Sequence, residues 1–173
     1  MIREISKNSL RFFLLIIFQV LVLNNVGLSQ YLNPYIYILF LLWLPMTLPP
    51  WLMLSICFLT GLSIDMFSNS PGIHASACVV LGFVRPAVVN LLTPRNSYQS
   101  DDQPRIGYMG FSWFLTYATV LTVLHHLTYF MLEAFSFELM FFALQKAFCS
   151  SFLTLLLILI VEFFFYASSK KTR

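Results

Sequence analysis

Long apolar runs separated by short polar or proline-containing segments recur along the 173-residue chain. The pattern predicts six transmembrane helices, at about residues 9–28, 31–47, 51–67, 72–92, 110–132 and 139–166. Most of these runs approach the roughly 20 helical residues that cross a bilayer core. Only the segment 93–109 is both long and polar. The sequence therefore predicts an all-α fold, a single membrane domain over residues 1–173 with about six helices in one bundle.

Two of the predicted spans have unusual features. The second, at 31–47, is short and carries aromatic residues near both ends, which are typical of a membrane–water interface: Tyr31, Tyr35 and Tyr37 at one end, Trp43 and Trp51 at the other. The fourth meets Arg85 and Pro86 after twelve residues, or about 18 Å of helix. We expect this helix either to kink at Pro86 or to continue to Leu92 with Arg85 snorkelling to the interface.

Composition supports a membrane protein and excludes a soluble enzyme or a disordered chain. Hydrophobic residues make up 59% of the chain, charged residues only 10%, and the mean hydropathy is +0.81. A soluble domain needs about a quarter of its residues charged to wet its surface. The basic residues lie at the edges of apolar runs rather than in one cluster, so they do not indicate nucleic-acid binding.

The distribution of basic residues predicts an orientation. In the six-span interpretation, nine of the ten Lys and Arg residues fall on one side, and the three connections on the other side contain none. Lys146, the tenth, lies within the last span. The positive-inside rule then places both termini, and the loop 93–109, in the cytoplasm.

Seven ionisable residues fall in the outer half of this interpretation and are called the outer polar cluster: Asp65, His74, His125, His126, Glu133, Glu138 and Lys146. Glu162 is the ionisable residue within the inner half, where it can snorkel or pair with a basic residue. Buried groups of this kind either hold helices together, line a solute or ion pathway, or bind a metal. In the first case Lys146 pairs with Asp65, Glu133 or Glu138.

Neither a catalytic nor a metal site is expected. The chain has no G-x-S-x-G, H-E-x-x-H or Walker A sequence, and nothing singles out a nucleophile beside His74 and Asp65. His125 and His126 are adjacent, so they point about 100° apart on a helix and cannot share one ion. The expectation is a protein without enzymatic activity or cofactor.

The turn between the third and fourth spans carries a family resemblance. Gly61-x-x-x-Asp65, then Ser68-Asn69-Ser70-Pro71, then Gly72-x-His74-Ala75 resembles the MreD rod shape-determining family. Leu-Gly-Phe-Val-Arg85-Pro86 at the end of the same helix, the chain length and the Asn33-Pro34 opening of the second span are also similar to that family.

The resemblance implies a non-enzymatic scaffold of the bacterial inner membrane that works in the cell-elongation machinery. Its expected partner is MreC, a single-span protein, and through it MreB filaments and peptidoglycan synthases; membrane lipid is a further contact. The implied fold is similar to that of the substrate-binding subunits of energy-coupling-factor vitamin transporters. Those subunits supply the alternative function, a solute pocket at the outer polar cluster. They typically carry an alanine-rich motif in the first span, whereas the first alanine here is Ala75.

Overall fold

The computed structural model describes residues 2–26, 32–92 and 103–171, and the regular elements within them are helices. They are α1 (Ile2–Leu21), α2 (Ile38–Leu42), α3 (Pro50–Ser68), α4 (Ile73–Leu92), α5 (Ile106–Met109), α6 (Phe111–Ala134) and α7 (Met140–Lys171), with a 3₁₀ turn at Leu23–Asn25. Most of the predicted polar loop, including Arg95, lies outside the described residues.

Five of these helical stretches are long and apolar enough to cross a membrane: Asn8–Asn25, Pro50–Ser68, Ile73–Leu92, Phe111–Ala134 and Met140–Ala167. Their bounds agree with five of the six predicted spans to within a few residues at most ends. The prediction of an all-helical fold with several membrane-length apolar helices is therefore confirmed for the described residues. The sixth predicted span, at 31–47, has a different structure.

Helix α4 lies at the centre of the bundle, where it packs against both α3 and α6, and α6 packs in turn against α7. Helix α1 is peripheral, because Ile16 and Gln19 are the side chains that it buries within residues 8–26. Its remaining apolar side chains are wholly or partly exposed, as expected for a helix that faces lipid or another membrane protein.

The bundle has two ends, which we call the Asp65 end and the Arg85 end. Helices α1 and α3 both finish at the Asp65 end, where Asn24 Nδ2 donates to Ser68 Oγ over 3.1 Å. Both begin at the Arg85 end, where Ser9 and Phe12 line the same groove as Leu48 and Leu52. The two helices are therefore parallel, and residues 32–49 return the chain from the Asp65 end to the Arg85 end.

This returning segment corrects the prediction of a helical span over 31–47, because among the described residues 32–47 only the five of α2 are α-helical. The reason lies in the first backbone amides of the segment, three of which bond to distant side chains instead of to the segment's own carbonyls. The amide of Asn33 donates to Ser150 Oγ (3.0 Å), that of Tyr35 to Thr154 Oγ1 (3.0 Å) and that of Ile36 to Gln19 Oε1 (2.8 Å). Irregular backbone is tolerated at membrane depth only when protein satisfies it in this way.

Every residue from Tyr35 to Leu44 is buried, which also corrects the interpretation of Tyr35, Tyr37 and Trp43 as interfacial residues, whereas Tyr31 lies outside the described residues. Tyr37 is fully buried and Trp43 is 4% exposed, whereas Trp51 is 69% exposed. An apolar run with aromatic ends gives the same sequence signal whether it faces lipid or fills a bundle. Here the segment forms the core around which the long helices pack.

Helix α4 continues through Pro86 to Leu92, as one of the two alternatives predicted. The expectation that Arg85 snorkels to the interface is wrong, because its side chain is buried at 3% exposure. The guanidinium instead points into the bundle, toward the end of the returning segment.

Candidate functional site

Asp65 caps the first turn of α4 from the preceding helix. One carboxylate oxygen accepts from Ser70 Oγ (2.9 Å) and from the backbone amide of His74 (3.0 Å). The other accepts from the amide of Ala75 (2.9 Å). The first amides of a helix have no partner within it, and a carboxylate there also interacts favourably with the helix dipole. Asp65 is therefore a helix cap, and Lys146 pairs with Glu133, another of its three predicted partners.

Gly61 brings this carboxylate within reach of α4. A Cβ atom at position 61 would lie 2.4 Å from the Cα of Ala75 and 2.6 Å from its nitrogen. These are backbone atoms that cannot move aside without shifting α4, so only glycine permits this approach. The four-residue spacing to Asp65 then places both residues on the same face of α3.

The turn that joins α3 to α4 reverses direction through two left-handed backbone positions. Asn69 ends α3 with φ +52°, and Gly72 precedes α4 with φ +83°. No atom surrounds a Cβ built at Gly72, so its role is conformational rather than steric. The motif residues Gly61, Asp65 and Gly72 therefore form one interlocked turn.

The histidine behind this turn belongs to a buried hydrogen-bonded chain. The Tyr37 hydroxyl oxygen lies 2.8 Å from His74 Nδ1 and 2.9 Å from His125 Nε2. The Cys78 sulfur is 3.7 Å from the same nitrogen of His125. All four side chains are at most 2% exposed. Three separate elements, the returning segment, α4 and α6, thus meet at one phenol group.

His126 is fixed in a second network on the next face of α6. Its Nδ1 lies 2.9 Å from the carbonyl oxygen of Thr122, and its Nε2 lies 3.1 Å from Thr154 Oγ1. Because the carbonyl can only accept, Nδ1 carries the proton and Nε2 accepts from the hydroxyl. Thr154 in turn accepts from the amide of Tyr35, so His126 helps to hold the returning segment.

The aromatic ring of Tyr35 lies among the three histidine rings. Its centroid is 4.9 Å from that of His74, 6.0 Å from His125 and 5.1 Å from His126, with Tyr129 at 5.0 Å on a further side. Sequence reasoning missed Tyr35 and Tyr37 as members of this site, since their helix-end positions also fit an interfacial role.

The remaining members of the outer polar cluster lie at the edge of this core, where Glu133 also contacts Tyr129. Lys146 Nζ and Glu133 Oε2 are 3.5 Å apart on the side of α6 and α7, with both side chains about one-third exposed. Glu138 is exposed in the turn before α7, where its amide donates to Ser136 Oγ. The structure therefore divides the seven residues into a buried group, Asp65 and the histidines, and a more exposed group at its edge, Glu133, Glu138 and Lys146.

A cavity of about 470 Å³ opens at the Asp65 end and reaches the buried group. Its described lining includes Asn24, Tyr35, Ser68, His74 and Tyr129. Since His74 Nδ1 is occupied by Tyr37, Nε2 is the imidazole nitrogen left for the cavity. Within the described residues, no group of three or more His, Cys, Asp or Glu side chains is arranged to hold a metal ion.

Arg85 and Pro86, the other motif residues, stand at the opposite end of α4. The Arg85 guanidinium donates to the Tyr117 hydroxyl (2.6 Å) and to the carbonyl oxygens of Leu44 and Pro45. Tyr117 donates onward to the carbonyl of Leu42 (3.1 Å). These are the carbonyls that a helix end leaves without amide partners. Arg85 therefore closes the end of α2 with side-chain donors.

Glu162 forms the second buried charge at the Arg85 end, at 1% exposure. It accepts from Trp43 Nε1 (2.7 Å) and from the amide of Ile106 (3.1 Å), and pairs with Arg105 at 3.3 Å. The Arg105 guanidinium also lies 4.7 Å from the centre of the Trp43 ring. The predicted pairing of Glu162 with a basic residue is thus present, and it anchors the last part of the returning segment.

Comparison of the chain with protein-family models, with curated proteins and with solved structures gives no match. What the fold and the sites define is a helical membrane protein with five membrane-length helices around a buried returning segment.

Proposed function

We propose that this protein is a non-enzymatic scaffold of the bacterial inner membrane, similar to MreD, that acts in cell elongation. The observation that carries the proposal is the interlocked turn of Gly61, Asp65 and Gly72 with the start of α4. These are residues on which the resemblance to the family rests, and each has a packing or capping role. A motif built for packing suits a protein that works by holding a shape for its partners.

The proposed topology has both termini on the cytoplasmic side. The Arg85 end contains Arg11, Arg85 and Arg105, whereas Lys146 is the described basic residue toward the Asp65 end and is paired with Glu133. This asymmetry supports placing the Arg85 end inside. Counting the returning segment 32–49 as a buried crossing gives six crossings. Cysteines introduced at each terminus test this orientation through their accessibility to a thiol reagent. Labelling of either terminus from outside the cell would contradict it.

Helix α1 offers the surface that best suits a single-span partner such as an MreC-like protein. It is held to the bundle mainly through the returning segment and α3, and it exposes a continuous apolar face: Leu10, Phe13, Leu14, Ile17, Phe18 and Leu21. Packing in lipid depends on close van der Waals fit, so substitutions to polar residues are less informative here than changes of shape. MreB filaments and peptidoglycan synthases would be reached through this partner.

Affinity purification from the native host in mild detergent tests the scaffold proposal. We expect a single-span protein with an extracytoplasmic domain and cell-wall synthases to be recovered. A matched pair of variants, Phe13→Ala on the exposed face of α1 and Phe83→Ala on the exposed face of α4, separates a specific partner surface from general loss of apolar area. Recovery of an ATPase and a coupling transmembrane subunit, without any cell-wall protein, would contradict the proposal.

Depletion supplies an independent test in cells. Loss of the protein should make rod-shaped cells round, and an Asp65→Ala gene should restore shape less well than a Ser76→Ala gene. Ser76 lies in the same turn but donates only to the carbonyl of Gly72 on the exposed side. Normal shape and wall insertion after depletion would rule out a role in elongation.

The alternative is a solute-binding subunit of a vitamin-type transporter, and the cavity at the Asp65 end favours it. Its lining combines aromatic rings with amide and imidazole groups, as small-molecule sites do. The same purification distinguishes the two functions, because a transporter subunit would bring its ATPase. Mass spectrometry of small molecules released from the purified protein would reveal a retained solute.

A further inference from the structure

The chain from His74 through Tyr37 to His125 has a property that structural bonding alone does not require. The Tyr37 hydroxyl has one proton and lies between two imidazole nitrogens. It can donate to one nitrogen, so the other must carry a proton and donate to the oxygen. Two opposite arrangements therefore satisfy the same geometry, and shifting the protons along the chain converts one into the other.

The two ends of this chain differ in their surroundings. His74 lines the cavity at the Asp65 end, whereas His125 is fully buried. The Nδ1 atom of His125 has no hydrogen-bond partner among the described residues, although its Nε2 is bonded. Unpaired buried polar atoms are rare because they cost free energy. With its proton on Nδ1, His125 presents Nε2 to Tyr37 as an acceptor, so Nε2 is the nitrogen at which a further proton would bind.

We propose that His125 is a buried proton-binding site, loaded from the cavity through His74 and Tyr37. In the starting arrangement both imidazoles are neutral, with protons on His74 Nδ1 and His125 Nδ1. A proton from the cavity binds His74 Nε2 while the Nδ1–H bond breaks and its proton passes to Tyr37. The Tyr37 proton passes to His125 Nε2. His74 and Tyr37 end neutral, and His125 becomes an imidazolium with a proton on each nitrogen.

The groups that face His125 determine whether such a charge can be held. From α4 these are Cys78 and His74, from the returning segment Tyr35 and Tyr37, and from α6 itself His126. The carboxylate of Asp65 in α3 is engaged with the backbone amides of His74 and Ala75. Helix α7 presents the neutral Thr154 here, while Lys146 and Glu133 pair with each other at the edge. The electron-rich rings of Tyr35 and Tyr37, 6.0 Å and 5.7 Å from that of His125, favour a cation at this position.

Nitrogen-15 spectroscopy of the histidine rings tests this directly, since the chain has three histidines. The protein is labelled at histidine, purified through a tag without histidine, and placed in phospholipid nanodiscs between pH 5 and 8. As the pH falls, we expect His125 to gain a second ring proton while the proton of His74 moves from Nδ1 to Nε2, and His126 keeps its proton on Nδ1. Ring signals of His125 that stay neutral while those of His74 titrate would overturn the proposal.

Two variants separate a proton path from a structural bond. Tyr37→Phe keeps the ring but removes the hydroxyl, so the pH response of His125 should be lost while that of His74 remains. Tyr108→Phe, at an exposed tyrosine of α5 outside this site, removes a hydroxyl without touching the chain and should behave like the wild type. An unchanged response of His125 in Tyr37→Phe would refute the relay. If this variant does not fold, His74→Gln retains a hydrogen-bonding group at the cavity but cannot pass a proton, and the same loss is expected.

Discussion

Replacement of Asp65 by alanine removes the cap of α4 and provides the sharpest test of the turn. Two backbone amides, of His74 and Ala75, and the Ser70 hydroxyl lose their acceptor. The carboxylate is 5% exposed, so water replaces it poorly. Each buried donor left without a partner costs about 1–3 kcal/mol, and N-cap removal costs about 0.5–2 kcal/mol. Both estimates describe the loss of the same hydrogen bonds to the amides, so they are not added. We expect a total loss in stability of about 2–4 kcal/mol.

Mixed-micelle unfolding monitored by tryptophan fluorescence measures this loss. Asp65→Asn keeps one oxygen but places an amide group where the second oxygen accepted, so it should lose about 1–2 kcal/mol, between wild type and alanine. Ser76→Ala is the matched control in the same turn, and its exposed hydroxyl should contribute less than about 0.5 kcal/mol. An Asp65→Ala protein as stable as the Ser76→Ala protein would refute the capping argument.

Three further predictions use the same unfolding assay. Gly61→Ala should lower stability by about 1–3 kcal/mol or prevent folding, because the new Cβ would collide with the backbone of α4. Gly107→Ala should be nearly neutral, because the nearest atom to its Cβ is 3.7 Å away, and equal effects of the two variants would contradict the close-approach argument. Arg85→Met should cost about 2–4 kcal/mol by leaving buried carbonyls without donors, and a stable Met variant would show that water replaces the guanidinium. Glu162→Gln should destabilise the protein by about 1–3 kcal/mol, because Glu162 is a buried charge. Lys146→Met should cost less than about 1 kcal/mol, because Lys146 is partly exposed, and a larger effect of Lys146→Met than of Glu162→Gln would refute this reasoning.

The long helices were predictable because their signal is local. A run of about 20 apolar residues between polar or proline-containing segments has few alternatives in a membrane, where backbone groups must bond within the segment. Hence α3, α4, α6 and α7 begin and end close to their predicted positions. The small-residue and acidic pattern at Gly61 and Asp65 likewise identified the turn at which α4 is capped.

The buried segment 32–49 was not predictable in the same way. Its amides are satisfied by Gln19, Ser150 and Thr154, and the last two lie more than a hundred residues away in the chain. Hydropathy does not distinguish a run that faces lipid from a run that fills a bundle, because both are apolar. Similarly, the sequence grouped seven polar residues by depth, but depth does not specify which faces of different helices meet.

The sequence by itself therefore determined the class of protein, the long helices and the position of the α3–α4 turn, since hydrophobic length and local backbone geometry act over short distances. Only the tertiary structure decided that Arg85 points inward, that Tyr37 joins His74 to His125, and that the returning segment lies at the core. These features depend on contacts between distant elements. Their energy comes from satisfying buried polar groups, which becomes defined only once the helices have packed.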